Sequence, residues 1–148
     1  MATRVQNFMV AIDGSDASNR AIDLAAEMAK SAGGSLTIVS AATPLTEAQQ
    51  TALKRVEADL ADATDILAQR TLKDAEQRAG WSGLPHTKIK AIFRWGEAAQ
   101  VIIDCIVSEK VDAVVVGRRG HGQLAGLLLG SVSQKLATLS PCPMIIVP

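Results

Sequence analysis

Aromatic residues are scarce in this chain: tyrosine is absent, and 148 residues carry only two Trp and two Phe, 3% in all. So few rings leave few platforms for stacked bases, which argues against a single-stranded nucleic acid partner. Charge of one sign is also missing, the formal balance being +0. No overall basic field would draw the chain to nucleic acid or to an anionic membrane surface. Cysteine is limited to Cys105, inside an apolar helical pattern, and Cys142, between two prolines. Neither has a neighbour at metal or redox spacing, so both read as plain core or near-core thiols. Apolar residues reach 48%, yet no run approaches the roughly eighteen needed to cross a bilayer. There is no basic-then-apolar leader either. The expectation is one soluble, cytoplasmic domain over residues 1–148, without membrane insertion.

What the chain does have is concentrated between Val114 and Ser133. An apolar β-branched run, Val114 to Val116, suits a strand buried on both faces of a parallel sheet. Gly117, Gly120, Gly122 and Gly130 follow, and Ser131 stands as the natural N-terminal residue of a new helix. A strand, a glycine-rich loop and a helix N-terminus present unpaired amides and the positive end of a helix dipole, the makings of a phosphate site. The alternative is that the glycines only close a tight connection. A P-loop is excluded, because no Lys precedes Ser131. Residues 120–125 fit G-x-G-x-x-A, but an acidic residue about twenty positions on is missing.

Elsewhere strand and helix patterns alternate. Phe8 to Ile12 reads as strand one, running into Asp13-Gly14-Ser15-Asp16. Ala21, Ile22, Leu24, Ala25, Met28 and Ala29 recur at helical spacing up to Gly33-Gly34. Leu36 to Ser40 is strand two. Thr46 with Gln49 reads as a capping box opening a helical pattern to Gly80. At about 1.5 Å per residue such a helix would be near 50 Å long, so its first turns should overhang or break. Thr87 to Phe93 alternates Lys88 and Lys90 with Ile89 and Ala91, as an edge strand would. A helix opens at Gly96-Glu97, strand four is Ala113 to Val116, a last helix spans Ser131 to Leu139, and strand five is Met144 to Val147. The alternation predicts an α/β fold: an open five-stranded parallel sheet with helices on both faces, Rossmann-like.

The spacing Gly117, two residues, Gly120, nine residues, Gly130-Ser131 resembles the nucleotide-binding signature of the universal stress protein family, in its ATP-binding branch. The resemblance runs from Val10-Ala-Ile-Asp-Gly-Ser15 to Pro141-Cys-Pro-Met-Ile-Ile-Val147. It implies strand order 3-2-1-4-5, which fits strand three at an edge, with strands one and four adjacent where the winding reverses. It also implies that Ala11 and Asp13 hold the adenosine half of ATP and that Ala41 packs on adenine. Val116 and Gly117 would line the ribose and α-phosphate, while Gly120, Gly130, Ser131 and Val132 would give donors to the phosphates, with Mg²⁺. ATP, ADP and AMP all fit this pattern. Asp13 otherwise reads as an Asp-Gly turn residue. Arg118 and Arg119 are either ligands of the outer phosphates or a solvated loop pair, and His121 either a surface residue or a catalyst.

The function so implied is a nucleotide-dependent regulatory module of the stress response, with an unidentified regulatory protein partner. A slow ATPase or nucleotide-handling enzyme, or a nucleotide-free dimeric interaction module, are the other classes. The apolar strand Met144 to Val147 falls at the other edge, where it would pair two copies into a homodimer, as the resemblance also implies.

Overall fold

The computed structural model describes residues 4–42, 47–48, 51, 60–118 and 129–148, with 60–66 described as backbone. Within them five strands alternate with four helices: β1 (Asn7–Ile12), α1 (Asp16–Ala32), β2 (Ser35–Ala42), α2 (Leu60–Gly80), β3 (Ile89–Trp95), α3 (Ala98–Ser108), β4 (Ala113–Gly117), α4 (Ser131–Leu139) and β5 (Met144–Val147). The strands are parallel in the order β3-β2-β1-β4-β5. This is the doubly wound arrangement expected from the sequence.

Side chains alternate between the two faces of the sheet, as a pleated strand requires. Phe8, Val10, Leu36, Ile38 and Val115 point into one core with α1 and α2. Met9, Val39, Val114 and Val116 point into the other, with Ile102, Cys105 and Leu136 from the helices. Cys105 is fully buried, and its apolar surroundings push its thiol pKa up. It is the plain core thiol expected.

Helix α1 shows how local signals set the layers. Ser15 caps it by accepting from the Ser18 amide at 3.2 Å. At the other end Gly33 adopts φ 64, and Gly34 donates to Ala29 at 2.8 Å, closing the helix in a left-handed turn. A Cβ on Gly34 would collide with the Gln6 carbonyl, so glycine is needed there for close approach. Ala21, Ala25, Ala26 and Ala29 are wholly buried, letting α1 lie close on the sheet.

The bounds of β3 differ from the sequence reading. Residues His86–Lys88 form a 3-10 turn after Pro85, with Lys88 donating to the Pro85 carbonyl at 2.8 Å. Pro85 itself is extended (φ −59, ψ 141), and the turn closes on its carbonyl before the chain extends. Strand β3 therefore starts at Ile89 and runs on to Trp95, and Lys88 lies outside it. The long helix is described from Leu60, and the capping box at Thr46 and Gln49 lies outside the described residues.

At the opposite end of the sheet Asp112 stitches β1 to the entry of β4. Its Oδ2 accepts from the amides of Asn7 (2.8 Å) and Gln6 (3.0 Å). These bonds, Asn7's above all, hold its carboxyl below the usual aspartate range. Asp112→Ala should cost about 1–2 kcal/mol near neutral pH, the loss of charge-assisted acceptors in a partly solvated place. A lowered folded pKa gives stability that is complete above the unfolded value, about 3.9, and fades as pH falls through the folded one. Urea midpoints of parent and variant should therefore converge below about pH 4. A gap that is the same at pH 3 and pH 7 would refute this role.

Candidate functional site

Strands β1 and β4 pair in parallel, with Ala11 opposite Val116. The connection after β1 goes to α1 on one face, and the elements around β4 pack on the other face. Such divergence leaves a crevice at the carboxyl ends of the two strands. Here it is a cleft of about 270 Å³, near the lower end of the ~300–1,000 Å³ of small-molecule sites. Ala11, Val39, Ala41 and Val116 give it an apolar floor, and Ala98 and Ile102, one turn apart on α3, form a wall. Asp13, Ser15 and Ser18 stand at one side, Gly130 to Ser133 at the other.

Thus Ala11, Asp13, Ala41, Val116, Gly117, Gly130, Ser131 and Val132 all border one cleft. Arg118 is exposed and is not among the lining residues. Arg119, Gly120 and His121 lie outside the described residues. Asp13 shapes the turn as its bland reading had it: Oδ1 accepts from Ser15 N at 2.9 Å, Gly14 follows at φ 82, and Asp13 N donates to Ser18 Oγ at 3.2 Å. That turn is also what sets the carboxylate at the cleft.

Three helices begin around this end of the sheet, and their N-termini are not alike. Helix α1 has its Ser15 cap and Asp16 in the first turn. Helix α3 is capped by Glu97, which accepts from Gln100 N at 2.9 Å and Ala99 N at 3.3 Å and pairs with Lys135 Nζ at 3.2 Å. The Gln100 amide leads in holding the Glu97 carboxyl below its usual range. Helix α4 has neither device among the described residues: its cap is Gly130, which has no side chain to bond, and its first turn carries no acid. The N–H groups of Ser131, Val132 and Ser133 have no intrahelical acceptor, and all three residues border the cleft.

The structure adds detail to several sequence expectations. Ser131 is the first residue of α4, as expected, and Gly130 is its cap. Gly130 sits at φ −69, ψ 164, open to any residue, and its amide already donates to the Arg118 carbonyl at 2.8 Å. Gly117 is small for a packing reason: an added Cβ would lie 3.0 Å from Ala17 Cβ and 3.1 Å from Ala17 C. Ser133, absent from the expected set, is buried, and its hydroxyl donates to Gly117 O at 2.9 Å, tying α4 to the end of β4. No pattern singled out Ser133, Ser18, Ala98 or Ile102, since each reads locally as ordinary helix.

Fold and crevice together define a doubly wound, Rossmann-like α/β protein with its ligand-sized cleft at the switch point. The profile of the universal stress protein family matches residues 4–148. The chain is similar to universal stress protein YxiE of Bacillus subtilis (strain 168), 33% identical over 145 residues, 94% of this chain and 96% of that one. Universal stress protein UspA from Lactobacillus plantarum superposes with TM-score 0.82 at 23% identity, covering 99% of this chain and 100% of that one. A universal stress protein solved in complex with cAMP gives 0.72 at 28% identity, covering 99% and 98%. The chain belongs to the universal stress protein family.

The Gly117 contact separates packing from ligand binding. Gly117→Ala should cost about 1–3 kcal/mol by overpacking against α1, with no ligand present. A thermal midpoint equal to the parent's would show that the residue is small for some other reason.

Proposed function

We propose that the cleft binds an adenine nucleotide, ATP with Mg²⁺, and that the nucleotide is a regulatory ligand turned over slowly or not at all. The observation that carries this is the uncapped, acid-free N-terminus of α4 beside an apolar floor. Anions are favoured at such a terminus because its amides and dipole are uncompensated. A family member crystallised with cAMP supports an adenine ligand.

In this reading Ala11 and Ala41, with Val39 and the α3 wall, take the base, and Asp13 takes the adenosine hydroxyls. Val116 and Gly117 line the ribose and α-phosphate. The amides of Ser131, Val132 and Ser133 and the Ser131 hydroxyl meet the phosphates, joined by Gly120 and by Arg118 and Arg119 if those arginines turn inward. Mg²⁺ travels on the phosphate oxygens. Three charge-assisted bonds at roughly 1.5–3 kcal/mol each, plus burial of the base, reach the ~8 kcal/mol of micromolar affinity.

Amide donors at a helix N-terminus hold ground state and transition state about equally, which tightens binding without speeding chemistry. Fast hydrolysis also needs a group that positions water at the γ-phosphate. Asp13, whose carboxylate already accepts from Ser15 N, is assigned to the adenosine end.

Assembly is part of the same reading. Strand β5 forms an edge and is wholly apolar, with Ile146 36% exposed, so two copies meet antiparallel along it in a homodimer. Ile145 packs against the α1 core, which makes Ile146 the residue to perturb.

Valine can adopt the backbone conformation of Gly130, so Gly130→Val should still fold, at a cost of about 1 kcal/mol for the poorer cap, yet lose ATP affinity by at least about tenfold, as its side chain fills the phosphate approach. Calorimetry giving equal affinities would sink the assignment. Phosphate release with Mg²⁺ should stay well below ~1 s⁻¹; faster turnover abolished by Asp13→Ala would make the protein an ordinary enzyme. Light scattering should report a dimer at micromolar concentration and a monomer for Ile146→Asp. A monomeric parent, or a dimeric variant, would remove the edge-pairing claim.

A further inference from the structure

A second groove, of about 420 Å³, lies on the other face of the sheet between α1 and α2. Its volume falls within the ~300–1,000 Å³ of small-molecule sites. Buried Ile12, Ile22 and Ala75 contribute apolar surface to it, and the Asn19 and Gln77 side chains add amide groups. Asp74 and Arg78 stand one turn apart on one face of α2, and Trp81 follows in the turn just past its last residue, Gly80.

Two features of that face are unusual. Trp81 is 72% exposed, although an indole is among the most favourable side chains to bury. The Arg78 guanidinium lies 5.8 Å from its ring centroid and is itself pinned by two bonds to Asp23, 2.7 and 2.8 Å. The ring is thus braced at the groove instead of folded away. Charge is the second feature. Arg78 is compensated by Asp23, whereas Asp74 has no ion-pair partner among the described residues. The uncompensated charge in the groove is therefore negative.

From this combination we infer that the groove is a second ligand site, selective for a small planar aromatic carrying a protonated amine. The aromatic body stacks with Trp81 over the apolar surface, and the ammonium pairs with Asp74 and gains from the indole face. An aromatic carboxylate meets the wrong charge. The site shares Ile12 and Ser18 with the β1–β4 cleft, Ser18 being the acceptor for Asp13 N. Its ligand would therefore touch the turn that carries Asp13. The inference does not depend on the nucleotide reading, since its ligand, face and charge are different.

The test uses the intact chain and two probes of opposite charge, 2-phenylethylammonium and phenylacetate, followed through the Trp81 indole N–H in proton–nitrogen spectra, with Trp81→Phe assigning the signal. The ammonium should shift the signal saturably with a dissociation constant on the order of 1 mM, and phenylacetate should bind at least about tenfold more weakly. Asp74→Asn, a change at an exposed position, should remove the preference for the ammonium while leaving the thermal midpoint unchanged. No saturable shift, equal affinity for the two probes, or full ammonium preference in Asp74→Asn would each overturn the proposal. Repeating the titration with Gly130→Val should give the same result whatever that variant does to ATP, which separates failure of this site from failure of the other.

Discussion

Everything at the functional end of this molecule depends on the pairing of β1 with β4. Parallel strands need crossover connections, and here those on either side of the pair go to opposite faces of the sheet. Helices that diverge cannot close over the strand ends between them, so a cleft is a consequence of topology before any side chain is chosen. The sequence then has to keep it open with small residues. Ala11, Ala41 and Ala98 border the cleft, and Gly117 lets the end of β4 come within contact of Ala17 on the first turn of α1. A larger residue at any of these places would spend the space on packing.

Helix capping decides what kind of ligand that space suits. A capped terminus has used its amides and carries its own counter-charge, as α1 does with Ser15 and Asp16 and α3 with Glu97. Only α4, of the three helices around the cleft, begins on a glycine without a side-chain bond. The same carboxylate that caps α3 reaches Lys135 on α4. Both partners are more than half exposed, so the pair adds little energy.

The architecture was legible because its signals are periodic. Apolar runs, helical spacings and the Gly33-Gly34 stop each act within a few residues, and they placed the strands closely except at β3, where a 3-10 turn follows Pro85 that the alternating lysines concealed. The cleft was legible only where a residue type announced itself, as glycine or aspartate does. Ser133 was hidden because its bond to Gly117 joins positions sixteen apart. Ala98 and Ile102 were hidden because cleft and core are both apolar, and periodicity cannot tell a wall from an interior. Gly117 and Gly130 were noticed as glycines, and what the structure adds is that a Cβ at the first would crowd Ala17 and that the second has a backbone conformation any residue can adopt.

The two sheet edges complete the picture. On β3, Lys90 pairs with Glu109, and Arg94 is exposed further along, so the edge carries charge that discourages pairing with another chain. On β5 no charge intervenes between Met144 and Val147. That open edge is tied to the cleft by a short ladder: Gly130 N donates to Arg118 O, and Arg118 N donates to Val147 O. The cap of α4 and the last residue of the edge strand thus hang from opposite ends of one residue's backbone. If phosphate is held at that cap and a second copy at that edge, both forces meet at Arg118, and neither can shift it without changing the footing of the other.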